Sequence, residues 1–137
     1  MIFVLDTSKE TIFMGLYDEK KKFWTSQNEF LGGRCLNALI VTEYDKTRSH
    51  FTEGRDVLTG IIVAAGPGSF TGLRIGISFM NAIAYAKDIP IVAVEDAGDF
   101  ENLLQKGLNV LKSAGSNFES AVVPSYGAEP HITKPKQ

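Results

Sequence analysis

Eleven residues, Gly66-Pro67-Gly68-Ser69-Phe70-Thr71-Gly72-Leu73-Arg74-Ile75-Gly76, restrict the folds open to this chain more than any other stretch. They follow the apolar run Ile61 to Ala65 and precede a long Ala-rich segment with helical spacing. The order strand, tight glycine turn, helix start implies a layered α/β architecture. The first amides of a helix lack intrahelical partners, and the macrodipole makes that end electropositive. A phosphate or carboxylate can therefore be received there. Glycines serve equally to let backbone approach backbone where a Cβ would clash. Both readings stay open on the residues alone.

Common phosphate and nucleophile motifs are not met. No lysine follows Gly72, as a P-loop requires, and the dinucleotide pattern Gly-x-Gly-x-x-Gly is missed by one residue. Ser69 directly follows Gly68, so the Gly-x-Ser-x-Gly nucleophile elbow is absent as well. His50 and His131 have no evident orienting carboxylate. No catalytic residue and no metal ligand set is expected.

A formal net charge of −2 provides no basic field to draw in nucleic acid directly. The single Cys35 cannot form an intramolecular disulfide and fits a reducing compartment as a small helix-face residue. No apolar run approaches a membrane span, and no basic stretch precedes the N-terminal apolar residues. A cytoplasmic protein without membrane contact is expected.

Met1 to Leu5 reads as a strand buried on both faces, ending in the polar turn Asp6-Thr7-Ser8. Thr11 to Tyr17 alternates, a charged turn follows, and Phe23-Trp24-Thr25 completes a meander. A helix is expected over 34–48, with Leu36, Leu39, Ile40 and Tyr44 at helical spacing. Strand four lies within Val57 to Ala65, and a second helix runs from about Thr71 to Lys87. That helix is apolar nearly all round, which calls for cover on more than one side. Asp88-Ile89-Pro90 stops it, Ile91 to Val94 is strand five, and Asp99 caps a third helix reaching Ser113. A single α/β domain over 1–121 and a Pro/Lys-containing tail over 122–137 are expected. The β-β-β-α-β-α-β-α order demands a mixed five-stranded sheet with flanking helices. This is the layout of a ribonuclease H-like or actin-like half-domain, with an antiparallel meander continued by parallel strands.

On the eleven-residue glycine segment, the N-terminal Val4-Leu5-Asp6-Thr7-Ser8 and the approach Val57-Leu58-Thr59-Gly60-Ile61, the chain resembles the TsaB (YeaZ) family. The resemblance covers roughly residues 1–98, and Pro124 to Lys134 looks like that family's C-terminal end. It implies an actin-like, non-catalytic partner in making threonylcarbamoyladenosine at position 37 of tRNA. The partners implied are a catalytic TsaD-type subunit and a TsaE-type ATPase, with tRNA reached through the complex. Two departures stand out. The family's second half-domain, between strand five and the tail, is not found, as though deleted internally. Gly32-Gly33-Arg34-Cys35 replaces the family's His-Ser pair at the first helix.

Two sets of site residues follow. Leu36, Leu39, Ile40, Arg74, Ile75, Ile77 and Met80 are expected to face the partner, or a second copy in a resting homodimer. Asp6, Thr7, Ser8, Gly66, Gly68, Ser69, Thr71 and Gly72 would contact a nucleotide, if one is held at all. An actin-like nucleotide site lies between two lobes, so no cofactor is expected of the chain alone, and ATP or ADP only within a complex. The alternative functions are a small actin-like phosphotransferase, with Asp6 orienting a metal or water, and a homodimeric interaction module.

Overall fold

The computed structural model describes residues 1–48, 57–114 and 121–123. Strands β1 (Ile2–Asp6), β2 (Thr11–Asp18) and β3 (Phe23–Leu31) come first, then a 3-10 turn, Gly33–Cys35, and helix α1 (Leu36–Thr47). They are followed by β4 (Gly60–Gly66), α2 (Phe70–Lys87), β5 (Ile91–Glu95) and α3 (Phe100–Ala114). The sheet order is β3-β2-β1-β4-β5. β1 to β3 pair antiparallel as a meander, and β4 and β5 join in parallel. This is the mixed sheet that the element order demanded.

Alternation along the strands divides the core into two layers, because successive side chains leave opposite faces of a sheet. Phe3 and Leu5 of β1 enter one cluster with Leu36, Ile40 and Tyr44 of α1 and Ile77, Met80 and Ala84 of α2. Ile2 and Val4 enter the other, beneath Leu103 and Leu104 of α3. Helices α1 and α2 therefore cover one face and α3 the other. The first layer is keyed by aromatic rings: Phe3 meets Tyr44 edge-on at 5.4 Å, and Tyr44 meets Phe79 at 5.3 Å.

Three boundaries differ from the sequence expectation, each for a local reason. β3 continues six residues beyond Thr25, because Ser26 to Leu31 pair with Thr11 to Leu16 of β2. On this edge strand Ser26 to Glu29 are all polar and carry no apolar signal. β4 begins at Gly60, inside the expected Val57 to Ala65, and ends one residue past it at Gly66. Residues before Gly60 are held outside the ladder: the Met1 ammonium donates to the Val57 carbonyl and the Thr59 N–H donates to the Met1 carbonyl, both at 2.8 Å. The first helix starts as a 3-10 turn and becomes α-helical only at Leu36.

Helix α2 is capped at both ends. The Ser69 hydroxyl accepts from the Gly72 N–H at 3.1 Å. At the other end Asp88 takes the left-handed conformation (φ 54°), and the Ile89 N–H returns to the Ala84 carbonyl at 3.1 Å. Asp99 caps α3 as expected, accepting from the Asn102 N–H at 2.7 Å. No helix among the described residues is long and apolar enough to cross a membrane.

Candidate functional site: the glycine ridge, its clefts and the outer helical face

The turn after β1 and the loop after β4 meet at the C-terminal edge of the sheet. Gly68, Gly72 and Gly76 recur at intervals of four, which sets them on one stripe of α2 and its lead-in. That stripe lies directly on the Asp6-Thr7-Ser8 turn. A methyl group at Gly68 would fall on the Ser8 carbonyl, and one at Gly72 on the Thr7 carbonyl. At Gly76 it would meet the Thr7 side chain. The Ser69 N–H donates to the Ser8 carbonyl at 2.8 Å and closes the seam. The glycines thus let the backbone of α2 rest against the backbone of the first turn.

The turn is fastened from within. One oxygen of the buried Asp6 carboxylate accepts from both the N–H of Ser8, at 2.8 Å, and its hydroxyl. This is an Asx-type turn, in which a short acidic side chain imitates a backbone acceptor. Gly66 adopts φ 123°, a value closed to L side chains, and its peptide bond to Pro67 is cis. Its carbonyl accepts from the Asp96 N–H at 2.8 Å, which ties the end of β5 to the loop.

The seam separates the eight residues read as nucleotide contacts. Asp6, Ser8 and Gly66 line a cavity of about 280 Å³ together with Lys9, Pro67, Asp96 and Gly98. Ser69, Thr71 and Gly72 line another, of about 300 Å³, with Lys9, Gly32 and Leu36. Thr7 is buried and Gly68 is exposed on the seam. Several polar groups here already have protein partners: Asp6 holds Ser8, the Ser69 hydroxyl caps α2, and the Lys9 ammonium donates to the Gly98 carbonyl at 2.8 Å. Among the described residues, no cluster of three His, Cys, Asp or Glu side chains could hold a metal ion. His50 and His131 lie outside the described residues.

The expected docking residues divide sharply. Leu36, Ile40, Ile77 and Met80 are no more than 5% exposed and belong to the core under the sheet, so they do not present a surface. The reason is geometric: a helix covering a sheet must turn its most regular apolar stripe inward, and these residues are that stripe. Leu39 and Ile75 are half-buried, and Arg74 is exposed with its guanidinium over the Phe70 ring at 5.4 Å. The outer face is better described by the half-buried Ile75, Phe79 and Ile83, one stripe at intervals of four, with the exposed Val41, Ala82 and Tyr85. Cys35 is exposed at the start of α1.

Sequence reasoning missed the contributions of Lys9, Asp96 and Gly98 to the cleft and the packing role of Thr7. The glycine spacing at 68, 72 and 76 was a usable signal for the last, since it marks a backbone-to-backbone approach.

A mixed sheet in this order, with an Asp-Thr-Ser turn seated under a glycine stripe, defines a ribonuclease H-like, actin-like half-domain. A family model described as TsaD, tRNA N6-adenosine threonylcarbamoyltransferase, matches residues 49–99. The chain is 37% identical over 71 residues to the tRNA threonylcarbamoyladenosine biosynthesis protein TsaB of Bacillus subtilis (strain 168), covering 52% of this chain and 26% of that protein. It is 28% identical over 95 residues to the protein of the same name from Haemophilus influenzae, covering 69% and 39%. Among solved structures, YeaZ from Pseudomonas aeruginosa superposes with a TM-score of 0.56 at 27% identity, over 70% of this chain and 44% of that one. A crystal structure of an uncharacterized protein with similarity to peptidase YeaZ from Pseudomonas aeruginosa gives 0.52 at 26% identity, over 70% and 43%. The chain is similar to proteins of the TsaB (YeaZ) family, and its match spans less than half the length of each of these relatives.

Proposed function

We propose that this chain is a non-catalytic docking subunit in the making of threonylcarbamoyladenosine at position 37 of tRNA, binding and supporting a TsaD-type threonylcarbamoyltransferase in the cytoplasm. A TsaE-type ATPase joins the same assembly, tRNA is reached through it, and the chain pairs with itself when the partner is absent. In this reading it carries no activity and no cofactor of its own.

The observation that carries the proposal is the outer face of α1 and α2. Ile75, Phe79 and Ile83 are only half-buried although they pack on the core cluster, and Val41 of α1 is 52% exposed. An apolar stripe left half-covered by its own domain gains from a second helical surface, at about 25 cal/mol per Å² of apolar area removed from water. The names of the curated relatives supply the pathway.

Copurification of the full chain with a TsaD-type protein tests it. The paired substitution Val41→Asp and Ala82→Asp, both at exposed positions, should abolish the complex and leave the thermal transition in place. A complex that survives the pair overturns the assignment of this face. A nucleotide-handling role competes through the cleft holding Asp6, Lys9 and Asp96. ATP turnover by the purified chain, lost on Asp6→Ala with folding intact, would reverse the ranking.

A further inference from the structure

Val122 lies on the face of the sheet opposite α3, against the flank of α2. There the Asn81 side chain reads one peptide unit from both sides. Its amide NH2 donates to the Val122 carbonyl at 2.9 Å, and its amide oxygen accepts from the Val122 N–H, also at 2.9 Å. Val122 is 7% exposed and belongs to the cluster that holds Met80, Ala84 and Ile91. Its neighbours stand outside: Ala121 is exposed and Val123 is 79% exposed.

Asparagine and glutamine are the side chains that carry a carbonyl and an NH2 on one planar group, so they can satisfy a backbone N–H and C=O as a neighbouring strand would. Asn81 does this from a helix, where no strand could be. Only a residue presented in extended form fits such a pair, and only an apolar side chain suits the core opening beside it. We propose that the Asn81 flank of α2 is a docking site for a single extended segment, filled by this chain's own residues 121–123, which act as a releasable latch over that end of the core. Among the described residues the latch holds by one buried side chain and two hydrogen bonds, with Ala121 and Val123 in solvent. It therefore opens without the sheet opening, as local units of low stability do. This inference is independent of the proposed partner, since Asn81 lies off the outer stripe of Ile75, Phe79 and Ile83.

Amide hydrogen exchange on the full, isotopically labelled chain tests it. Asn81→Leu keeps the side-chain size and removes both bonds. The Val122 amide should then exchange at least about tenfold faster, as expected when its hydrogen bonds are lost. The Val4 amide in β1 should be unaffected. Released full-length chain, made by Val122→Asp, should bind a synthetic peptide of residues 119–125, detected at the Asn81 side-chain NH2 resonances. Adding Asn81→Leu should abolish that binding, followed in this variant at the backbone amides of Met80 and Ala84, which share the Val122 cluster. Equal acceleration at Val122 and Val4 would overturn the latch, because the contact would then be an ordinary part of the global fold. An unchanged Val122 rate would overturn the assignment of Asn81. Protection that depends on protein concentration would overturn the intramolecular occupant in favour of a second copy.

Discussion

The carbonyl oxygen of Thr7 occupies the space where a side chain at Gly72 would begin. This contact explains why the first turn of the chain and the start of α2, far apart in sequence, specify each other. It also ranks the glycines of the ridge. At Gly72 and Gly68 the obstacle includes backbone, which cannot swing aside, whereas at Gly76 it is the buried Thr7 side chain, which can give way only by shifting against its own packing. Gly72→Ala should therefore lower stability by about 3 kcal/mol, the upper end of the usual cost of overpacking. Gly76→Ala should cost less. Urea denaturation of the two variants checks the order, and equal midpoints would contradict it.

Charge placed in the inner stripe should unfold the domain and leave no folded species to assay for docking. Ile77 and Met80 are 2% and 0% exposed, so a carboxylate there loses its water and finds no partner. Ile77→Asp and Met80→Asp should abolish the cooperative thermal transition. Folded, partner-deficient Ile77→Asp would show that α2 presents this face outward after all.

Trp24 provides a built-in reporter for α3. Its ring stacks on Phe100 at 5.0 Å, and its indole N–H donates to Glu101 at 3.2 Å. It is the chain's single tryptophan. Phe100→Ala should shift its emission to longer wavelength as the indole face meets water, before any loss of the far-UV signal. An unshifted spectrum would mean that α3 does not hold this ring.

The β2–β3 turn should weaken in acid. The Lys21 backbone N–H, aided by that of Lys20, holds the Asp18 carboxyl below its ordinary value, against a smaller opposing effect of burial. A carboxyl whose pKa is depressed by folding stabilises the fold above its unfolded pKa. That contribution is lost as pH falls through the lower folded value. Asp18→Asn should therefore be less stable than the parent at neutral pH, and the gap should close in acid. Denaturation midpoints across that range decide it; a constant gap would remove the ionised carboxylate from the account.

Much of the fold was legible because it rests on apolar periodicity. Ile12, Met14 and Leu16 alternate and are buried, and the Asp99 cap and the Pro90 stop fall where their chemistry put them. The polar second half of β3 was not legible, since an edge strand draws its order from its neighbour's backbone. The docking face was misread for a related reason. Periodicity identifies the stripe a helix will bury, and Ile40, Ile77 and Met80 were that stripe; whether a domain buries it against its own sheet or against a partner is decided by tertiary placement. The eight residues of the glycine site were brought to one edge of the sheet as a group. Their division into two cavities depended on the Ser69–Ser8 hydrogen bond, which sequence does not display.

The place of β1 bears on how the chain is made. β1 pairs with β2 on one side and β4 on the other, and these partners differ greatly in when they leave the ribosome. The meander closes through short turns and can form early, since local contacts cost little chain entropy. The parallel edge waits until Gly60 to Gly66 has been synthesised. In the interval β1 offers a bare, wholly apolar border of Ile2 to Leu5 to any passing strand. Slowing translation between the two partners should lengthen that interval and raise the share of newly made chain that aggregates.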